Sequence, residues 1–373
     1  MDTSAITLFL AGDVMCGRGI DQILPHPVHP QLFESFVKSA RDYVELAEGQ
    51  NGPIPRPVGW DYVWGDALAE LDRLQPHARI VNLETAVTAR GQPWPGKGIH
   101  YRMHPANVPC LTAAGLDCCA LANNHVLDWG YDGLSDTLAT LHRAGLRTTG
   151  AGLNQAEAEA PACIEVPGKG RVLVLAMASD SSGVPASWEA TAARAGVSRV
   201  PDFSAQAAQA LAARAAAARQ EGEGDVVVVS MHWGGNWGFQ VPAEQRSFAR
   251  HLIDSGAVDI VFGHSSHHAK GIEVYRERLI LYGCGDLLND YEGIGGYDSY
   301  RPGLGLMYFA SFDAQARRLA GLTMVPIRVE RFQIQRASDD ETAWLLATLN
   351  REGQRFGTGV EQCDADLLLR WTR

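Results

Sequence analysis

The residues of this sequence that could do chemistry stand at the ends of short apolar runs. In residues 225–237, four valines lead through Ser230 and Met231 to His232 and a segment rich in glycine and tryptophan. A run of β-branched residues is typical of a strand that is buried on both faces. Imidazole serves as a metal ligand and as an acid or base near neutral pH, so a strand ending in histidine can deliver either chemistry.

Five other apolar runs end in a carboxylate, an amide or an imidazole. Residues 6–10 precede Asp13, residues 79–83 precede Glu84, residues 117–122 precede Asn124, His125 and Asp128, residues 258–262 precede His264 and His267, and residues 279–284 precede Asp286. Divalent metal sites are built from such mixed oxygen and imidazole groups. The set is larger than one ion needs, which leaves histidines and aspartates for acid–base work.

These side chains must be positioned by a layered α/β fold in which several strand ends share one site. Further strands are predicted at residues 171–178, 304–312 and 322–329. Helices are predicted at residues 31–47, 66–74, 131–144, 203–220, 241–255, 342–350 and 365–369. With no linker and no repeat, residues 1–330 are expected to form one domain. Within it, the insertion 20–78 should cover part of the site mouth, and residues 331–373 should form a helical C-terminal extension.

The composition restricts the class of function. The 373 residues are 46% hydrophobic and 20% charged, and the formal net charge is −11 at pH 7. A nucleic-acid partner is not expected, because phosphate neutralisation needs a basic surface. No apolar run is long enough to span a bilayer, no basic segment opens the chain, and the seven cysteines lack CxxC spacing. We therefore expect a cytoplasmic protein with reduced cysteines and no membrane partner.

Two groups of side chains are candidates for substrate binding. Residues 91–105 form an irregular, basic segment in an acidic protein, and its Lys97 and Arg102 could hold a carboxylate. A solvated loop is the alternative interpretation of this segment. Trp233, Trp237 and Tyr291 could pack against an apolar or aromatic side chain.

Five short motifs occur in order along the chain: GDVM at 12–15, NLE at 82–84, ANNH at 122–125, HWG at 232–234 and GHSSH at 263–267. Over roughly residues 5–290, they resemble the poly-γ-glutamate capsule-synthesis (CapA-like) family of the calcineurin-like metallophosphoesterase superfamily. The resemblance implies a two-sheet β-sandwich flanked by helices, with the site at the strand ends. It also implies metal positions and a catalytic histidine. The metal positions are Asp13, Glu84, Asn124, His232 and His264, and the catalytic histidine is His125.

Departures from the superfamily's usual motifs bear on the metal count. Met15 and Ser266 stand where histidines are usual, with His267 one residue after Ser266. Glu84 stands where an aspartate is usual, and Asp286 adds a carboxylate where the family commonly has asparagine. Two-metal phosphoester cleavage needs both ions, so with ligands missing we expect one divalent ion. Because oxygen ligands are prominent, Ca²⁺, Mn²⁺ or Mg²⁺ is expected before Zn²⁺.

Three functions are compatible with these residues. The superfamily implies hydrolysis of a phosphoester or of a γ-glutamyl or related amide bond. The surplus of titratable groups instead favours acid–base chemistry at a carbon centre. A metal-stabilised component of capsule-polymer synthesis is the non-enzymatic alternative.

Acid–base chemistry at a Cα centre of a peptide substrate is the main expectation. His125 and His267 would serve opposite faces of the substrate, each oriented by a carboxylate. Asp286 is one candidate partner, and Asp13 and Asp128 are the alternatives for His125. Cytoplasmic members of the family that epimerise lasso peptides resemble this chain, which implies inversion at the C-terminal residue of such a peptide.

Overall fold

Two large β-sheets and the helices that flank them form the fold in a computed structural model that describes residues 5–219 and 224–372. The strands are β1 Ala5–Val14, β2 Ala78–Leu83, β3 Ala86–Val87, β4 Arg102–Met103, β5 Cys118–Ala120, β6 Arg147–Thr149, β7 Ala151–Gly152, β8 Ala162–Val166, β9 Gly170–Ala178, β10 Gly196–Val197, β11 Val226–His232, β12 Ile260–His264, β13 Ile272–Tyr275, β14 Arg278–Leu281, β15 Asp286–Leu288, β16 Leu304–Asp313, β17 Arg318–Glu330, β18 Gln333–Arg336, β19 Thr358–Cys363 and β20 Asp366–Trp371. The helices are α1 Gly19–Ile23, α2 Ala40–Asn51, α3 Asp66–Leu74, α4 Pro109–Ala113, α5 Gly130–Arg143, α6 Gln155–Glu159, α7 Ala205–Ala218, α8 Ala243–Asp254 and α9 Asp339–Gly353.

Each large sheet has a block of parallel strands. The first sheet runs β19-β20-β17-β16-β1-β2-β5-β6, with β15 also beside β1 and β18 beside β17. Its strands β1, β2, β5 and β6 are parallel. The second sheet runs β13-β14-β12-β11-β9-β8, and β9, β11, β12 and β14 are parallel. Because parallel neighbours end at one edge, each block brings its carboxyl ends together.

Strand β11 shows why the second sheet needs a continuous apolar run. Val226 and Val228 pack in the core between the two sheets. Val227 and Val229 point the other way and pack in a second core with Phe248 of α8. Successive side chains of a strand alternate between faces, so a strand covered on both sides must be apolar at every position. A strand buried in this way is a rigid support for the histidine at its end.

A close approach between two backbones joins the first sheet to the segment before β15. A Cβ atom at residue 12 would lie 1.8 Å from the carbonyl oxygen of Gly285, so only glycine fits there. Gly285 itself has φ of +75°, a conformation that favours glycine. This contact sets β15 beside β1, with Asp13 and Asp286 paired in the register.

The predicted α/β fold, a two-sheet sandwich flanked by helices, is confirmed by this topology. One helix is shorter than expected: α2 begins at Ala40, because the Ser39 side chain caps it by accepting from the N–H of Arg41. The residues before it are irregular, with a bridge from Gln31 to Ser39. Within the described ranges, no helix is long and apolar enough to cross a membrane.

The prediction of a helical C-terminal extension is wrong in part. Of residues 331–373, α9 is a helix, but residues 365–369, predicted as a helix, lie in β20. This strand pairs with β19 and with β17 of the first sheet. The physical reason is an alternation of period two: Leu367 and Leu369 are buried in the core between the sheets, whereas Leu368 is only half-buried.

Candidate active site and metal centre

The polar residues at the strand ends of both sheets meet in one place. Asp13 lies near the end of β1, and Glu84 directly follows β2. His232 and His264 are the last residues of β11 and β12 and are paired in the register. The structure brings together Asp13, Glu84, Asn124, His125, Asp128, His232, His264, His267 and Asp286. Contacts between these side chains therefore join the strand ends of both sheets in one cluster.

Three buried side chains form a group that could hold a metal ion. Ligand atoms of Asp13, His232 and His264 all lie within 4.8 Å of one another. The Nδ1 atoms of the two histidines are 2.8 Å apart, and Nδ1 of His264 is 3.9 Å from Oδ1 of Asp13. Their Nε2 atoms are engaged elsewhere. Nε2 of His264 is 2.7 Å from the Ser230 hydroxyl, and Nε2 of His232 is 3.2 Å from Oδ1 of Asn124. Each Nε2 is thus held by a neighbouring side chain, and the two Nδ1 atoms contact each other beside Asp13.

The protonation of this group also fits a divalent cation. Burial lowers the pKa of His264 to about 3. Burial also lowers the pKa of His232, and the neighbouring His264 adds to this effect. Both imidazoles are therefore neutral, which is the form that binds metals. Burial, with Asp286 nearby, raises the pKa of Asp13 to about 7, and burial also raises the pKa of Glu84 beside it. Buried carboxylates are costly to ionise unless a positive charge compensates them, and a divalent ion would do so.

His125 forms the first of two imidazole–carboxylate pairs. Its Nδ1 lies 2.7 Å from Oδ2 of Asp128, which also accepts the backbone N–H of Tyr101 at 2.6 Å. Of the two alternatives for the partner of His125, the structure therefore brings Asp128 to it. Burial lowers the pKa of His125 to about 4, although Asp128 acts in the opposite direction. Lys97 contacts Asp128 and the carbonyl oxygen of Asn124, so this predicted substrate-binding residue is part of the pair's support.

His267 forms the second pair, with Asp286. Its Nδ1 lies 2.9 Å from Oδ1 of Asp286, whose other oxygen accepts from the Asn289 side chain at 2.8 Å. Burial alone lowers the pKa of His267, but the charge and hydrogen bond of Asp286 outweigh it and leave that pKa above its ordinary value. The two environments therefore push the two imidazoles towards opposite protonation states.

Both histidine pairs open into one cleft that has two chambers. The first, the polar chamber, is a cavity of about 330 Å³ lined by Glu84, Lys97, Gly98, Ile99, Tyr101, Asn124, His125, Asn236, His267 and Tyr291. The second, the aromatic chamber, is a cavity of about 270 Å³ lined by Arg18, Phe36, Tyr43, Ile99, Asn236, Trp237, His267, Tyr291, Ile294, Tyr297 and Pro302. The chambers share four residues, so they adjoin. Phe36 and Tyr43 come from the insertion 20–78.

The structure separates the candidates for substrate binding. Trp237 stacks on Tyr297 with ring centroids 4.1 Å apart and lines the aromatic chamber, and Tyr291 lines both chambers. Trp233 does not line the cleft: it is 1% exposed, and its indole N–H donates to the carbonyl oxygen of Tyr282. It follows His232 along the chain and points to the opposite face of the sheet, where it joins the core with α8.

Arg102 also lies outside the cleft, contrary to the expectation that it holds a carboxylate. It lies in β4, and its guanidinium carbon is 3.5 Å from the centre of the Trp129 ring. It is among the residues lining neither chamber. A guanidinium group packs favourably on the face of an aromatic ring. Arg102 therefore stacks on Trp129 instead of reaching into the cleft to hold a carboxylate.

Sequence reasoning missed several residues that hold the site in place. Asn82 donates to Asp13 at 2.7 Å and to Glu84 at 3.2 Å. Asn123 donates to Asn82 at 3.0 Å and accepts the N–H of His125. Asn82 lies inside the NLE motif and Asn123 inside the ANNH motif, so the motifs could have indicated both residues. Arg18 and Asp290, 272 residues apart, form a buried ion pair at the wall of the aromatic chamber, and no local pattern marks it.

Comparison with known proteins places the chain in a family. Residues 7–291 match the family described as bacterial capsule synthesis protein PGA_cap. The chain belongs to this family. The resemblance to CapA-like proteins that the motifs indicate is thereby confirmed.

Individual PGA_cap relatives differ in how much of their length matches. A probable polyglutamine synthesis accessory protein of Mycobacterium tuberculosis is 48% identical over 356 residues, which are 95% of this chain and 93% of that protein. The capsule biosynthesis protein CapA of Bacillus anthracis is 29% identical over 291 residues, 78% of this chain and 61% of that protein. Among solved structures, a Mycoplasma pneumoniae phosphatase aligns with a TM-score of 0.48 and 12% identity, covering 87% of this chain and 94% of that one.

Proposed function

We propose that this PGA_cap protein is a metal-dependent acid–base enzyme that inverts a Cα centre of a peptide substrate. One observation carries the proposal: two imidazoles, each paired with its own carboxylate, line the same polar chamber. The pairs are His125 with Asp128 at 2.7 Å and His267 with Asp286 at 2.9 Å.

Inversion at Cα needs a base on one face and an acid on the other. In each pair the carboxylate accepts from Nδ1, which fixes the ring and leaves Nε2 for the substrate. Nε2 of His125 lies 3.7 Å from Glu84, and Nε2 of His267 lies 3.4 Å from the Tyr291 hydroxyl. Both of these neighbours line the polar chamber, so the free nitrogens face the space that a substrate would fill.

The proposed reaction balances without a further reactant. One imidazole removes the Cα proton, and the electron pair of the C–H bond moves into the adjacent carbonyl group. The imidazolium on the other face then donates a proton to Cα, and the electron pair returns to form the new C–H bond. The product has the composition of the substrate and the opposite configuration at Cα.

A divalent ion would be held by Asp13, His232 and His264, with Glu84 and Asn124 beside them. When bound, it supplies a Lewis acid that stabilises negative charge. The protein itself orients the two imidazole rings. Nε2 of His264 contacts Ser230 and Nε2 of His232 contacts Asn124, and these contacts hold both Nδ1 atoms towards Asp13.

For the substrate, we propose a peptide that presents its C-terminal residue, as a lasso-type ribosomal peptide does, with an apolar or aromatic side chain. The aromatic chamber beside His267 supports this choice of side chain, because Phe36, Trp237 and Tyr297 line the chamber. The net charge of −11 favours a peptide partner over a nucleic acid. The Mycobacterium tuberculosis relative is named for polyglutamine synthesis, and such a polymer is also joined by amide bonds.

Hydrolysis of an amide bond in a glutamyl polymer is the second candidate. The capsule-synthesis family and the metal-type group of Asp13, His232 and His264 favour it. The two reactions leave different products, because hydrolysis shortens the chain and inversion does not.

The test incubates the metal-loaded protein in D₂O with two substrates: a peptide ending in phenylalanine and a glutamyl oligomer. Mass spectrometry and chiral amino-acid analysis then report on each. We expect one deuteron at the inverted Cα of the peptide and no change in chain length. Cleavage of either substrate without deuterium uptake would refute inversion and support the hydrolase.

A further inference from the structure

A tyrosine ring packs against the imidazole of each histidine pair. The rings of Tyr101 and His125 meet edge to face, with centroids 4.7 Å apart. The rings of Tyr291 and His267 have the same arrangement at 5.3 Å. Both tyrosines are among the residues that line the polar chamber, so each acid–base unit has a tyrosine beside the space that a substrate would fill.

The Tyr101 hydroxyl has an unusual environment. It is buried, and no group in residues 5–219 and 224–372 meets it with hydrogen-bond geometry, although the Tyr291 hydroxyl lies near enough to act on the pKa of Tyr101. Tyr101 as a whole is 1% exposed. Buried hydroxyls are nearly always paired, because leaving one unpaired is costly. A substrate bound in the chamber beside Tyr101 could supply the missing acceptor.

The Tyr291 hydroxyl also has donor capacity to spare. Its contacts are 3.4 Å to Nε2 of His267 and 3.8 Å to the sulfur of Met15. Both distances are longer than those of a strong hydrogen bond from a hydroxyl. A substrate oxygen in the chamber would be a better acceptor than either.

Arg18 lies behind both rings. Its guanidinium carbon is 4.6 Å from the centre of the Tyr101 ring and 5.8 Å from that of Tyr291. Asp290 and Glu34 hold the guanidinium in this position. Burial raises the pKa of both tyrosines above the ordinary range, so both keep their protons. Two fixed, protonated hydroxyls next to a cation are suited to receive negative charge.

We propose that the Tyr101 and Tyr291 hydroxyls form an oxyanion site that binds the carbonyl oxygen of the substrate while negative charge develops on it. The reaction it serves rests on the proposed function. Both hydroxyls donate hydrogen bonds and keep their protons. The charge reaches the oxygen when the base takes the Cα proton and leaves it when the acid returns one. Both tyrosines would thus be catalytic residues.

The first test needs no turnover. The probe is 4-nitrophenolate, an oxyanion on an aromatic ring, titrated by absorbance into the full-length protein and into Tyr101→Phe and Tyr291→Phe. We expect each variant to bind the probe about tenfold more weakly, because one donor to the oxygen is lost. Equal affinity in all three proteins would overturn the oxyanion site.

The second test measures Cα deuterium exchange in the same variants. We expect each to lower kcat by roughly 10²–10³ with a much smaller change in KM, since the lost hydrogen bond strengthens with the developing charge. Tyr101→Phe should melt at or above the temperature of the unmodified protein, because it removes an unpaired buried hydroxyl. Full turnover in both variants would overturn the oxyanion site while leaving the inversion intact.

Tyr282→Phe is the matched control, because this buried hydroxyl donates to Glu273 at 2.6 Å, outside both chambers. It should lower stability and leave both turnover and probe binding unchanged. If the unmodified protein shows no exchange at Cα, the proposed function fails, and the 4-nitrophenolate titration still decides on the oxyanion site.

Discussion

Nδ1 of His125 lies 2.7 Å from a carboxylate oxygen of Asp128, three residues along the chain. This contact fixes the tautomer and the orientation of the ring. Asp128→Asn should therefore lower turnover by roughly 10²–10⁴ and leave KM within a few-fold, because the amide no longer stabilises the charged imidazole. Steady-state kinetics over a range of pH measures both effects.

Asp132→Asn is the control for this substitution, since Asp132 is exposed in the first turn of α5. It should leave the kinetics unchanged. Undiminished turnover in Asp128→Asn would remove the His125–Asp128 pair from the proposed reaction.

Replacing Trp233 should mainly affect stability, whereas replacing the nearby Trp237 should mainly affect substrate binding. Trp233→Ala should cost ~3–5 kcal/mol in the free energy of unfolding, because it empties a buried core position. Trp237→Ala should leave that free energy nearly unchanged and weaken binding of a peptide with an aromatic C-terminal residue, because the ring lines the aromatic chamber. Urea unfolding and calorimetric titration measure the two quantities. A large loss of stability in Trp237→Ala would place its ring in the folding core.

Metal content provides a further prediction. The protein should retain one divalent ion through dialysis. Manganese is favoured among the expected ions, because two imidazole nitrogens accompany the Asp13 carboxylate. Chelation should lower the melting temperature, since an ion that binds the folded state stabilises it.

The variants His232→Ala and His264→Ala should lose the ion, whereas His142→Ala, on the exposed face of α5, should retain it. Elemental analysis reports the content directly. Two equivalents of zinc in the unmodified protein would contradict the single-ion prediction.

Lys270 provides a prediction about stability and pH. It is 4% exposed, and burial lowers its pKa from 10.5 to about 8. At pH 7 the folded state carries a buried ammonium, so Lys270→Met should raise the free energy of unfolding by up to roughly 3 kcal/mol. Above pH 8 the folded lysine loses its proton before the unfolded one does. The stability of the unmodified protein therefore rises relative to the variant, and the difference shrinks until about pH 10.5.

Urea unfolding of both proteins at pH 7, 8, 9 and 10 measures this difference. Lys169→Met, at a partly exposed lysine, is the control and should show no such trend. A difference between Lys270→Met and the unmodified protein that stays constant over this pH range would contradict the buried-ammonium explanation.

The strand ends of the site could be predicted from sequence because each apolar run and its terminal polar residue are local. His232 after four valines needs no knowledge of the rest of the chain. The direction in which a side chain points was harder to predict. Trp233 follows His232 directly, but the alternation of a strand turns it into the core.

Contacts between distant segments could not be predicted from local patterns. Arg18 is fixed by Asp290, 272 residues away, and its place behind Tyr101 follows from that pairing. Residues 365–369 are predicted as a helix but lie in strand β20, because three consecutive leucines show no period by themselves. Its pairing with β17, a long-range event, decides its structure.

The pairing of Asp13 with Asp286 has a consequence for how the protein matures. These residues come from the two ends of the family's matched region, and both sheets must dock before the cleft exists. Contacts between segments so far apart in sequence form slowly, because closing the long intervening loop costs conformational entropy. During refolding, helical signal should therefore return well before substrate binding does. A chain that ends before residue 286 would lack the carboxylate partner of His267 and so one of the two imidazole–carboxylate pairs.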